Sequence, residues 1–378
     1  MIYFDNAATG GVKPKSVISA VKFALENYSA NPGRSGHSLS VNTADMVYKA
    51  REKSARFFGA EGAETVVFTQ NCTQAINFVL KGILRRGDHV IVSSLEHNAV
   101  MRPLVKIGVN YSIAEVSATD DNETVKNFSN LIKPNTKLVF CTGASNVTGK
   151  ILPISRIGEL CRKQGIFFGV DAAQIAGVAD IDMKRQNIDF LCVAPHKGLG
   201  APMGIGILIA RKNIPQTILE GGTGTNSIEF IQPDSLPEKL ESGTINVPAI
   251  AGVSAGIEHI SKAGIRRIYL HELGLIQHLY KEIEKRKKIK LYTPFPKMDS
   301  YAPLLVFNLE GTDSFKLANM LSNEGIATRG GLHCAPLAHK QIGTPQSGAV
   351  RVSAGYFNTM EEINRFLRVI DTKILKKT

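Results

Sequence analysis

A lysine next to glycines, an aspartate ending an apolar run and a cysteine beside a histidine are the residues of this chain best suited to chemistry. The lysine lies in Val193-Ala194-Pro195-His196-Lys197-Gly198-Leu199-Gly200, where the glycines let backbone approach a ligand closely. An amine there can form a Schiff base with a carbonyl, and it becomes nucleophilic at neutral pH where burial and neighbouring positive charge lower its pKa. The string is short and common, and on this segment alone a surface lysine in a turn is the better reading. Asp171 closes the apolar run 166–170, where a carboxylate is costly without a cationic partner. A pyridinium nitrogen is one such partner, and an acid that keeps it protonated preserves its capacity to take up electrons. A plain helix cap is the alternative.

Two further segments carry chemical potential. The turn Thr69-Gln70-Asn71-Cys72-Thr73-Gln74 precedes a helical pattern over 75–84, so its amides and the Thr73 hydroxyl can hold a phosphate at a helix N-terminus. An ordinary N-cap explains the same residues. In Thr328-Arg329-Gly330-Gly331-Leu332-His333-Cys334-Ala335-Pro336 the flanking Arg, Gly and His argue against an apolar setting for Cys334. A thiol near cationic groups ionises more readily and becomes a nucleophile. By contrast, the 143–150 segment has one residue too many between its glycines for a nucleotide phosphate loop, and Ile151 where Ser or Thr is needed.

These residues need elements to position them. Apolar runs at 66–68, 90–92, 138–140, 166–168, 190–192 and 205–208 alternate with helical patterns. Continuous apolar strands between helices predict an α/β fold with a mostly parallel sheet covered on both faces. Ligands of such sheets sit at the carboxyl ends of the strands. Polar residues follow several of these strands directly: Thr69-Gln70-Asn71, Ser94-Leu95-Glu96-His97, Ser145-Asn146, Asp171 to Gln174 and His196-Lys197. They are expected to converge on one site. After about residue 255 the texture changes to long charged helices, a strand at 304–307, a helix at 315–323 and a closing helix from Met360. A large domain over 15–255 and a smaller α+β domain formed by 256–378 with 1–14 follow as expectations. Residues 221–243, rich in Gly, Pro, Thr and Ser, read as a long functional or interface loop.

Composition narrows the partners. Lys and Arg exceed Asp and Glu to give a net charge of +12, which favours anionic ligands without selecting one. The basic residues are scattered, and the one dense run, Lys285 to Lys288, lacks interleaved aromatics, so a solvated helix end is expected in place of a nucleic-acid surface. Five cysteines, Cys72, Cys141, Cys161, Cys192 and Cys334, show no Cys-x-x-Cys spacing, so neither a disulfide framework nor a metal site is expected. Cys72, Cys141, Cys161 and Cys192 lie in or beside core elements and read as inert. Neither a secretory leader nor a membrane-spanning run is seen, and a cytoplasmic location is expected.

Taken in order, these segments resemble the fold-type I, class V aminotransferase superfamily, and within it the cysteine desulfurase and selenocysteine lyase branch with a short cysteine loop. The resemblance begins at Tyr3-Phe4-Asp5-Asn6-Ala7-Ala8-Thr9 and continues through Arg34-Ser35-Gly36-His37-Ser38, Cys72 to Asn77 and Leu95 to Ala99. It closes with Arg329 to Pro336 and Val350-Arg351-Val352-Ser353. It implies a fold-type I PLP-dependent transferase: pyridoxal 5'-phosphate attached to Lys197, with Asp171 at the ring nitrogen, Gln174 near the ring hydroxyl and His97 stacked on the ring. Thr73 and His196 would hold the phosphate, with Cys72 also among the cofactor-binding residues. Thr244 would reach the phosphate of a neighbouring subunit, which implies a homodimer with shared active sites. Asn146, Arg351 and Arg329 would face the substrate carboxylate.

Lys197, His97 and Cys334 would be the catalytic residues, Cys334 receiving sulfur from L-cysteine as a persulfide while alanine is released. A sulfur-acceptor protein, commonly in iron-sulfur cluster assembly, is the implied partner. Selenocysteine lyase activity, or another class V reaction on a small amino acid, is the alternative. One position departs from the pattern: Ala194 stands where the family usually has Ser or Thr as a further phosphate ligand.

Overall fold

In the computed structural model, which describes residues 1–33 and 35–376, the apolar runs form one seven-stranded sheet. Arg34, part of one quoted motif, lies outside the described residues. The chain opens with β1 (Ile2–Tyr3), α1 (Lys15–Asn27) and α2 (Ser38–Phe57). The sheet strands follow: β2 (Val66–Thr69), β3 (His89–Ser93), β4 (Asn110–Ala114), β5 (Thr136–Thr142), β6 (Phe167–Asp171), β7 (Phe190–Val193) and β8 (Gly206–Ala210). Between them run α3 (Cys72–Ile83), α4 (Asn98–Ile107), α5 (Asp121–Asn130) and α6 (Ile154–Gln164). The spatial order is β2-β8-β7-β6-β5-β3-β4, and β8 alone runs antiparallel to its neighbours.

Both faces of this sheet are apolar because successive side chains point to opposite sides and each side is covered by helices. Val66, Phe68, Ile91, Val139, Phe168, Val170, Leu191, Ile207 and Ile209 pack in one core. The intervening Val67, Val90, Val92, Leu138, Phe140, Phe190 and Leu208 pack in a second with α3 and α4 residues such as Ile76, Phe78 and Leu104. The edge strand β4 was not anticipated. Its Tyr111 and Ile113 are 42% and 39% exposed, so it carries no apolar run to read.

Beyond the sheet lie α7 (Val247–Ala263), α8 (Ile265–Ile283), β9 (Ile289–Leu291) and β10 (Leu304–Leu309). The chain closes with α9 (Ser314–Asn323), β11 (Ile326–Ala327), α10 (Pro336–Gln341), β12 (Val350–Ser353) and α11 (Met360–Val369). A three-stranded antiparallel sheet, β12-β10-β9, shares a third core with α8, α9 and α11. Ile2 and Phe4 belong to that core as well, and β1 pairs in parallel with β11. The first residues of the chain therefore pack with the last third of it. The 221–243 segment contains neither helix nor strand, and its Ile228, Phe230 and Ile231 are exposed. The basic run begins just past the end of α8, as expected, but Arg286 within it docks on Asp371 at 2.7 Å. Among the described residues no helix is long and apolar enough to cross a membrane.

Candidate active site

The carboxyl ends of β2, β3, β5, β6 and β7 share one edge of the sheet, and the polar residues after them gather there. Register sets Asp171 at the end of β6 opposite Thr142 of β5 and Cys192 of β7. Its carboxylate is 4% exposed and is held by Oδ1, which accepts from the Ala173 amide at 2.9 Å and from the Cys72 thiol at 3.6 Å. Oδ2 has no partner among the described residues. Cys72 was expected to be an inert core thiol. It opens α3 against Asp171, and burial with that carboxylate beside it pushes the thiol well above its ordinary pKa, so it stays a protonated donor and not a nucleophile. Cys141, Cys161 and Cys192 are buried as expected.

Lys197 follows β7 in a turn closed by its own amide on the Ala194 carbonyl and by the Gly200 amide on its carbonyl. Close backbone packing explains the next residue: a Cβ on Gly198 would lie 2.2 Å from the Ala176 carbonyl oxygen. The Lys197 amine makes no hydrogen bond or ion pair among the described residues. Burial lowers its pKa and Arg351 and Arg329 lower it further, while Asp171 and Cys72 oppose them. The cleft of about 170 Å³ that Lys197 lines also takes in Gln174 and Ala7. The Gln174 side chain donates to the Ala7 carbonyl at 2.9 Å.

The helix starting after β2 begins earlier than expected, at Cys72, because Asn71 serves as its cap and accepts from the Gln74 amide at 2.9 Å. That leaves the Cys72 and Thr73 amides without partners among the described residues, and the Thr73 side chain is exposed. His196 points one ring nitrogen, Nδ1, at the Thr9 hydroxyl (3.1 Å), and burial with Lys197 and Lys13 nearby pushes it down to about 4. Its carbonyl accepts from the Gly10 amide, the Thr9 hydroxyl and the Lys13 amine, which ties the N-terminal segment to the Lys197 turn. Ala194 is buried and offers no hydroxyl.

His97 caps α4, its Nδ1 accepting from the Ala99 amide at 3.0 Å. Burial lowers its pKa; Asp171 opposes the shift and Lys197 reinforces it. Beneath it lies a residue to which no role had been assigned. Glu96 is fully buried, accepts from Ser93 and from the Thr142 amide at 2.9 Å, and so ties the end of β3 to the end of β5. Burial pushes its carboxyl up to about 8. An acid between an apolar strand and a histidine was the available signal.

Cys334 is exposed on a loop fastened to the same rim. The Asn98 amide donates to its carbonyl at 2.7 Å, and the Asn146 side chain donates to the His333 carbonyl at 2.7 Å. Arg351 donates to the Asn146 carbonyl at 2.8 Å and to Asp5 at 2.7 Å, and is 2% exposed. Two of its donor groups are thus committed within the chain, a pairing that the sequence separation of 346 residues concealed. Arg329 pairs with Arg351 through backbone only, and its guanidinium is exposed without a partner among the described residues. Thr244 is not brought to this cleft. It is exposed beside Gln70 and Gln74, on a separate surface recess.

An unpaired lysine amine opposite a buried aspartate, an open helix N-terminus and a solvent-facing thiol suit covalent chemistry on an anionic carbonyl ligand. The model of the family described as aminotransferase class-V matches residues 2–366. A probable cysteine desulfurase of Borreliella burgdorferi is 32% identical, with 97% of this chain and 90% of the relative aligned. A probable cysteine desulfurase of Synechocystis is 31% identical over 99% of this chain and 91% of its own. Among solved structures, the apo cysteine desulfurase of Thermococcus onnurineus superposes with a TM-score of 0.88 at 30% identity, covering 99% of this chain and 95% of that one. A cysteine desulfurase of Escherichia coli follows at 0.87 and 27%, covering 99% and 94%. The mostly parallel sheet and these likenesses make the fold that of the fold-type I enzymes. With its model spanning nearly every residue and relatives above 30% identity over almost their full lengths, the chain belongs to the class-V aminotransferase family.

Proposed function

We propose that this chain is a pyridoxal-phosphate-dependent cysteine desulfurase, which converts L-cysteine to L-alanine and leaves the sulfur on Cys334 as a persulfide. The observation that carries the reading is the conjunction of an unpaired, partly buried Lys197 amine, Asp171 and an exposed Cys334 on one rim. The relatives' names support it.

The residues present fit the cofactor. Lys197 Nζ is free for attachment, Asp171 has an open oxygen for a pyridinium nitrogen, and the first-turn amides of α3 with the Thr73 hydroxyl form an anion site. His196 would add to the phosphate site, Gln174 would lie at the ring hydroxyl and His97 would cover the ring. When bound, pyridoxal phosphate supplies an electron sink for charge developing at the substrate Cα. Lys197, once free as an amine, takes the Cα proton at Nζ, a role its lowered pKa favours. Arg329, Asn146 and the remaining donors of Arg351 orient the substrate carboxylate. The Cys334 thiolate attacks the substrate sulfur: the S–S bond forms, the Cβ–S bond breaks with its electron pair left on carbon, and protonation of Cβ together with return of a proton from Lys197 Nζ to Cα completes alanine.

On this reading the protein is a cytoplasmic homodimer, with 15–255 as its large domain and 256–378 with 1–14 as its small one. Exposed Thr244 and the exposed Ile228, Phe230 and Ile231 support contact with a second copy, and the exposed thiol suits delivery of sulfur to an acceptor protein. The test is alanine release from L-cysteine and from selenocysteine by wild type and Cys334→Ala. The expected result is alanine from wild type and loss of cysteine turnover in the variant. Absence of alanine from both substrates, or full cysteine turnover without Cys334, would sink the reading.

A further inference from the structure

His333 and Cys334 both have φ in the left-handed region, +50° and +57°, a conformation that glycine adopts readily and other residues rarely. Two such residues in succession require surroundings that over-determine the turn. Carbonyl contacts supply part of this, from Asn146 to His333 and from Asn98 to Cys334. The remainder comes from the His333 ring, which is 6% exposed and lies edge to edge with the fully buried ring of His339, nearly coplanar with it at 12° and with centroids 5.4 Å apart.

The protons of this pair are determined by their partners. His333 Nε2 lies 3.1 Å from the Arg329 carbonyl, which only accepts, so Nε2 carries the hydrogen. His333 Nδ1 is then an acceptor, and the group 3.2 Å from it, His339 Nε2, must donate. That leaves His339 Nδ1 to accept from the Thr344 hydroxyl at 2.8 Å. Both rings are neutral in this arrangement, in agreement with burial holding His333 down at about 3 and His339 at about 4. The chain of donors runs one way, from Thr344 through His339 and His333 to Arg329. Backbone bonds close the same loop, from Ala335 to Leu332, from Thr344 to His339 and from Ala349 to Gly331.

We propose that His339 is a positioning residue for Cys334: by donating to His333 it locks the ring that holds the His333–Cys334 turn and aims the thiol into the site. The inference rests on the reading of Cys334 as the sulfur acceptor for its catalytic consequence, but not for its structural one. A merely space-filling ring is the competing account, and the two differ in which substitution is tolerated. His339→Phe keeps a planar ring in the buried position and removes the donor, whereas His339→Gln loses the ring and places an amide N–H near the former Nε2.

The experiment measures, on the cofactor-loaded enzyme, kcat and KM for alanine release from cysteine together with hydrogen exchange of the 328–349 peptide by mass spectrometry. His339→Phe is expected to lower kcat by about 3–10-fold, the range of one net hydrogen bond, with KM little changed and exchange accelerated by a similar factor. His339→Gln is expected to restore most of both. Thr344→Val, which preserves shape and removes only the hydroxyl donor, is expected to move both readouts in the same direction and serves if the Phe variant does not fold. Phe behaving like wild type while Gln is impaired would overturn the proposal in favour of packing, as would unchanged exchange in both the Phe and Val variants. Wild type that releases no alanine would refute the desulfurase reading, and the exchange measurements would still decide the positioning role.

Discussion

Replacing Glu272 with methionine should stabilise this protein, and by more at pH 8 than at pH 5. Glu272 lies on α8 in the wall of the Lys197 cleft, is 8% exposed, and has neither hydrogen-bond nor ion-pair partner among the described residues. Burial alone pushes its carboxyl from 4.5 up to about 8. The folded state thus holds a proton that the unfolded chain releases. The associated stability is fully present below the unfolded pKa and declines as pH rises through the interval to about 8, after which it is level. The shift sets a ceiling of about 5 kcal/mol, and relaxation and water entry at a cleft wall reduce the realised change to about 2–4 kcal/mol. Methionine matches the length of the side chain and titrates nowhere, so the stability difference between variant and wild type should widen by that amount between pH 5 and pH 8. For a chain of this size each kcal/mol moves a thermal midpoint by about 2 °C or less. Paired melts at both pH values, at equal pyridoxal phosphate concentration because ligand binding also stabilises, measure the difference. A gap that does not change with pH, or one that widens towards pH 5, would refute the assignment of a neutral, uncompensated Glu272.

Arg51→Met should cost about 3–5 kcal/mol, read as a lowered denaturation midpoint, because it strands a charge. Arg51 and Glu241 are paired at 2.5 Å with side chains 9% and 7% exposed, and Glu241 also accepts from the Phe68 amide. Gly198→Ala should reduce cofactor uptake, followed by absorbance after borohydride reduction, since its Cβ would meet backbone and not a movable side chain. Wild-type uptake in that variant would mean that the turn carrying Lys197 is more adaptable than its packing indicates.

What was legible in the sequence and what was not divide along a physical line. Asp171 could be read because it ends an apolar strand, where a carboxylate is costly without a partner, whereas Lys197, in a turn past the end of β7, drew its weight from Asp171 and from the order of the other segments. The strands themselves followed from continuous apolar runs, which the two cores on either face of the sheet account for. Strand β4 lacked that signal, being an edge strand whose larger side chains face solvent. Arg351 illustrates a different limit. Its type and place in a motif indicated a carboxylate partner, yet the carboxylate that it holds in this structure is Asp5, brought to it by the pairing of the first strand with the last part of the chain. Local pattern records what a residue can bind but not which distant residue reaches it first.

The same limit shapes the cysteine loop. The exposure of Cys334 could be read from its neighbours in sequence, because arginine, glycine and histidine within a few residues argue against an apolar setting. The groups that hold it were out of view: Asn98 and Asn146 arrive from the ends of β3 and β5, and His339 from a helix that follows the thiol. An exposed thiol can be recognised by composition, whereas its placement depends on donors and acceptors that only the fold assembles. In this protein those groups are Asn98 at the start of α4, Asn146 after β5 and His339 of α10, so the loop's conformation depends on residues that local sequence does not place beside it. On this account substitutions at His339 bear on the thiol's placement more directly than changes to the exposed Leu332 or Lys340, although Leu332 lies nearer to Cys334 in sequence.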